Sequence, residues 1–152
     1  MATSKKLPPN PFVHEILTHV SKQRSNEKKS EALKEYGNDA IKALLIWNFD
    51  ESVISMLPEG EVPFKKNEAP LGTDHTTLRR EWKNLYHFVR GGNDTLSGVR
   101  RETMFIQMLE GLHPEEASIL CLVKDKALST KYKISQGVVE KAFPDIKWGG
   151  RS

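Results

Sequence analysis

Cysteine is almost missing from this chain. Cys121 stands alone among 152 residues, which excludes an internal disulfide and a cysteine-built zinc site. No apolar run approaches the roughly 20 residues that span a bilayer. The opening MATSKKLPPNPF has lysines but neither the apolar stretch nor the cleavage site of a signal peptide. There is no G-x-x-x-x-G-K-[ST] phosphate loop and no G-x-S-x-G nucleophile turn, and the pairs Gly91-Gly92 and Gly149-Gly150 are isolated. His14 and His19 flank an HE pair, but five residues on a helix turn one roughly 140° from the other, so they cannot share a metal as histidines at i, i+4 do. Both are expected to be solvated. His75, His87 and His113 are widely separated, and His113 before Pro114 suits a cap or turn.

What is present is a globular composition, 38% hydrophobic and 28% charged, which sets the chain apart from disordered sequences. The net charge of +3 is unevenly spread: residues 1–34 and 124–152 each carry +4, and residues 35–123 carry −5. Basic ends on an acidic body fit solvated termini, or a nucleic-acid or acidic-partner footprint. Cys121 lies in the apolar run 119–123, so a buried structural thiol is expected, in a reducing, cytoplasmic setting.

Apolar residues recur with helical spacing through most of the chain. Asn10-Pro11 should open a first helix running to about Arg24, with Phe12, Val13, Ile16, Leu17 and Val20 on its inner side. A second covers about 27–36, with Gly37 as a left-handed stop. Asn38 should cap a third that ends near residues 47–49. Residues 50–74 contain three prolines and two glycines. They predict a long crossover, with a short extended piece at 52–57 and Val62, Phe64 and Leu71 as apolar pins. A fourth helix is expected over about 75–90, capped by Thr73 or Asp74, with Leu78, Trp82, Leu85 and Val89 as its buried stripe. Ser97 should cap a fifth helix over about 98–111. Pro114 opens a sixth, where Glu115 and Glu116 suit its positive end. Ser135 should cap a short last helix over 136–143. The expected fold is all-α, a compact single domain of about six or seven helices over residues 10–146. Residues 1–9 are read as a flexible arm and 147–152 as a flexible tail.

No catalytic set emerges, so the expectation is a non-enzymatic protein without cofactor or metal. Arginine in the first turn of a helix opposes its dipole, which draws attention to Arg79-Arg80-Glu81 and Arg100-Arg101-Glu102. Each pair either forms a local salt bridge or clamps an acidic surface or phosphate. Arg79, Arg80, Arg100, Arg101, Phe64 and Trp148 are the candidate binding residues. Segments 114–126 and 135–143 could imitate a helix-turn-helix, but the link is about eight residues against the usual three or four.

The strings LPEGEVPFKKNEAP, YHFVRGG, RRETMFIQMLEGLHPEEASILCLVKDKAL and VVEKAFP resemble a family of small uncharacterised proteins of T4-like tailed phages, including those of marine cyanobacteria. The likeness covers about residues 40–144, and Phe105–Ala117 is its most specific part. It implies a phage protein made in the infected cell, brings no known activity and assigns no functional residue. The expected role is therefore binding to a host or phage replication or transcription component in the host cytoplasm. Nucleic-acid binding through the basic ends and arginine pairs, or a structural or packaging place in the virion, are the alternatives.

Overall fold

The computed structural model describes Leu7, residues 11–65 and residues 76–150. Among the described residues the chain is all-α. Its helices are α1 (Val13–Ser21), α2 (Asn26–Tyr36), α3 (Asp39–Phe49), α4 (Leu78–Glu81), α5 (Gly98–Gly111), α6 (Pro114–Lys124) and α7 (Gln136–Ala142), with 3-10 turns at Trp82–Phe88 and Leu128–Thr130. α6 is central: it packs on α1, α3 and α5, while α2 lies between α1 and α7. Phe88 and Phe105 meet edge to face at 5.1 Å in the core.

Local chemistry places many of the boundaries. The side chains of Asn38, Ser97 and Ser135 accept the N–H groups of Ile41, Arg100 and Val138, and so start α3, α5 and α7. α1 begins later than expected, at Val13, and stops at Ser21 rather than Arg24, because the Ser25 hydroxyl accepts from Lys28 and starts α2. Asn10 lies outside the described residues. Gly37 is not left-handed: its backbone is extended, at φ −65° and ψ 146°. Glycine is needed there because a β-carbon would run into the Phe143 ring and the Leu33 carbonyl.

The expected fourth helix differs most. Only Leu78–Glu81 is α-helical, and Trp82–Phe88 winds on as a 3-10 helix. A period of three puts Leu85 and Phe88 inward, leaves Trp82 half-buried and exposes Tyr86. Thr73, Asp74, Leu71 and His75 lie outside the described residues. The cap comes from elsewhere. Glu116, 1% exposed, accepts the N–H of Leu78 at 3.0 Å and of Val13 at 2.9 Å. One carboxylate on the first turn of α6 thus serves the first residues of α1 and α4, and three positive helix ends converge on it.

The crossover is held by side chains from the end of α6. Lys124, buried at that end, donates to the carbonyls of Pro58 (2.8 Å) and Gly60 (3.2 Å), and Asp125 accepts from Gly60 at 3.3 Å. Lys126, left-handed at φ 57°, donates to the carbonyls of Trp47 (2.6 Å) and Asp50 (2.8 Å). The extended piece exists as one antiparallel bridge, Ser55 to Val89. Val62 and Phe64 pack on the core as expected.

Trp148 packs on the core, and Gly149 donates to the Asp50 carboxylate at 3.0 Å. Leu7, in the expected arm, also packs there. α7 buries Val138, Val139 and Ala142 against the core, and the Ser30 hydroxyl of α2 donates to the Val138 carbonyl.

Candidate functional site

The arginine pairs fare differently. Arg101 is 4% exposed. Its Nε donates to the His87 carbonyl at 2.9 Å, and its Nη2 donates to those of Asn93 (2.9 Å) and Leu96 (3.1 Å). It ties α5 to the 3-10 helix and the turn after it, so most of its guanidinium is spent inside the fold. Arg100 beside it is exposed, as is Val99. Arg79 and Arg80 are exposed and form no ion pair among the described residues. The expected local bridge to Glu81 is absent: that carboxylate accepts from the Thr76 hydroxyl (2.9 Å) and the Asn84 amide (3.4 Å) instead.

Phe64 lies elsewhere, in a crevice of about 620 Å³ between the crossover and α6, with Glu61, Glu115, Ser118 and Cys121 among its walls. Cys121 is half-buried, and burial pushes its thiol up to about 11, so it is a poor nucleophile near neutral pH. His113 caps α6 through Nδ1, which accepts the Glu115 N–H at 3.0 Å. His14 is not solvated as expected. It stacks on Phe12 and on His113, with ring centroids 4.8 Å apart in the latter pair, and its Nδ1 is buried without a partner. His19 meets the Tyr36 ring edge-on. Among the described residues no three histidines, cysteines or acids gather as metal ligands would.

The face with the most binding character was not read from the sequence as a unit. The 3-10 helix, the Ser55–Val89 bridge and α3 enclose a groove of about 320 Å³. Ala43, Ile46 and Trp47 of α3 form one wall; Val53, Trp82, Leu85, Tyr86 and Val89 complete it, with Lys83 at the lip. The lining is overwhelmingly apolar. Tyr86 is 49% exposed, and Ile54 and Met56 on the bridged strand are also exposed. Single exposed apolar residues mean little, but a cluster of them beside an apolar groove is the kind of surface from which contact sites are built. Trp47 is 3% exposed, and its indole N–H has no acceptor among the described residues. Leaving such a donor buried and unpaired costs about 1–3 kcal/mol. A family model matches residues 16–130.

The chain belongs to a family of unknown function (DUF6433). No curated protein and no solved structure matches it. The family span contains the whole groove, Glu116, Arg101 and the Lys124–Lys126 anchors. No helix among the described residues is long and apolar enough to cross a membrane.

The signal that could have revealed the groove was the alternation R-R-E-W-K-N-L-Y-H-F-V-R over residues 79–90. It joins cations to aromatics. Read at helical spacing, it looked like one buried stripe.

Proposed function

We propose that this member of the family works by binding: it is a phage accessory protein that seats part of a host or phage replication or transcription protein in the groove between α3 and the 3-10 helix. The observation that carries this is the groove itself, with apolar walls and an exposed Tyr86 at its edge. Apolar pockets with a few polar groups are where ligands and anchor residues dock. The phage setting rests on the likeness of the 57–70, 86–92, 100–128 and 138–144 strings to small proteins of T4-like phages. Nucleic-acid binding is a second reading, favoured by the interleaving of Arg79, Arg80, Lys83 and Arg90 with Trp82 and Tyr86, since bases stack on aromatic faces.

A photo-crosslinking residue at position 86 tests the first reading in infected cells. The control is the same residue at position 140, which is exposed on α7. A discrete protein adduct from position 86 and none from 140 is expected. Equal, diffuse labelling from both positions rejects the groove as the contact site, and a nucleic-acid adduct at 86 moves the function to the second reading.

A further inference from the structure

We infer that the groove between α3 and the 3-10 helix takes an acidic peptide segment that inserts a large apolar side chain. This rests on the binding reading above and names the chemistry of its partner.

The charge on the segment that carries the 3-10 wall of the groove is one-sided. Segment 78–90 carries Arg79, Arg80, Lys83 and Arg90 against Glu81 alone. All four cations are exposed and none forms an ion pair among the described residues. Lys83 lines the groove and lies 6.0 Å from the centroid of the Trp82 ring, so a positive charge stands directly at the apolar opening. Glu81 is occupied by Thr76 and Asn84, and Glu51 is the one acid on the bridged segment 51–57. A neutral partner would leave this field unused, and a basic one would be repelled by it.

The walls select a peptide over a nucleic acid. Ala43, Ile46, Val53, Leu85 and Val89 are aliphatic and present no polar edge to a base. Trp82 is half-buried in the wall, so its ring is not a free stacking platform of the kind single strands need. A space of about 320 Å³ suits one large side chain with part of its neighbour. Acidic residues flanking a Phe or Leu anchor therefore satisfy the cations and the apolar walls together.

The test is fluorescence anisotropy on the full chain with four labelled probes. These are a twelve-residue peptide of Asp and Glu around a Phe and a Leu, the same peptide with Ser for the anchors, the same with Lys for the acids, and a twelve-nucleotide oligothymidylate. The anchored acidic peptide is expected to bind about tenfold or more tighter than each of the others, and to weaken as salt is added. The double variant Arg79→Glu, Lys83→Glu changes two exposed side chains, and its folding is checked by circular dichroism. It should bind the acidic peptide about tenfold more weakly and gain affinity for the basic one. Equal binding of acidic and basic peptides, tighter binding of the oligonucleotide, or no binding of any peptide at millimolar concentration overturns the inference. Its failure is separable from that of the binding reading: a protein adduct at position 86 whose contacting segment lacks acids would sink the acidic peptide and leave the groove a protein-binding site.

Discussion

Glu116 offers the sharpest test of how this fold is held. Its carboxylate is buried and accepts from the backbone N–H groups of Val13 and Leu78. Hydrogen bonds to a charged acceptor contribute about 1.5–3 kcal/mol each, and removing the acceptor leaves both donors buried and unsatisfied. Glu116→Ala should therefore cost about 3–5 kcal/mol, a large share of the roughly 5–15 kcal/mol that keeps a domain folded. Glu116→Gln keeps one carbonyl acceptor and turns an amide NH2 toward the other donor, so it should cost less, about 1.5–3 kcal/mol. Urea unfolding followed by tryptophan fluorescence gives both values. Amide exchange in the Gln variant should show faster exchange at Val13 or Leu78 and little change in the interior of α5. A loss below about 1 kcal/mol for the Ala variant, or unchanged protection at both amides, would refute the idea that one carboxylate fastens α1 and α4 to α6.

Further expectations are open to the same kind of measurement. Arg101→Lys keeps the charge but not the planar fork; losing two or three carbonyl contacts should cost about 2–4 kcal/mol in urea unfolding, and a near-neutral result would contradict the clamp. Burial, then the neighbouring His113, hold His14 below its ordinary value, against the opposing pull of Glu15 and Glu115; Lys131 adds to the lowering. The unfolded chain then takes up the proton first, near about pH 6.5. The His14 contribution is whole above that pH, declines as pH falls, and is spent below the folded value. Stability should drop on acidification from neutrality, and His14→Phe, which keeps a stacking ring, should flatten that slope. Cys121, with its thiol raised to about 11, should react with iodoacetamide at pH 8 far more slowly in the folded protein than in urea; equal rates would show an accessible thiolate.

Several boundaries were legible because their causes lie within a few residues. Ser97, Asn38 and Ser135 each cap a helix whose first N–H groups stand three positions away. The start of α6 follows equally from Pro114 and its acids. The start of α1 and α4 was not legible, because the acceptor, Glu116, lies 103 residues from Val13 and 38 from Leu78. Arg101 invited a binding role for a similar reason. A cation in a first turn is unexplained until the carbonyls of His87, Asn93 and Leu96 fold back around it. Gly37 was read as a left-handed stop, whereas Phe143 from α7 sets the requirement for glycine there.

The sequence alone determined that the chain is helical, where most helices begin, and that the proline-bearing crossover breaks the pattern, since apolar period, caps and proline geometry all act over one or two turns. Only the tertiary structure decided which charges are spent on the fold and which are left over. Glu116, Arg101, Lys124 and Lys126 look like surface residues until distant backbone groups need them. Arg79, Arg80 and Lys83 form no ion pair among the described residues, and Lys83 stands at a groove that exists only once Trp47 and Trp82, 35 positions apart, are brought to the same wall. A buried polar group must find a partner wherever the chain can supply one, and sequence proximity does not constrain where that is.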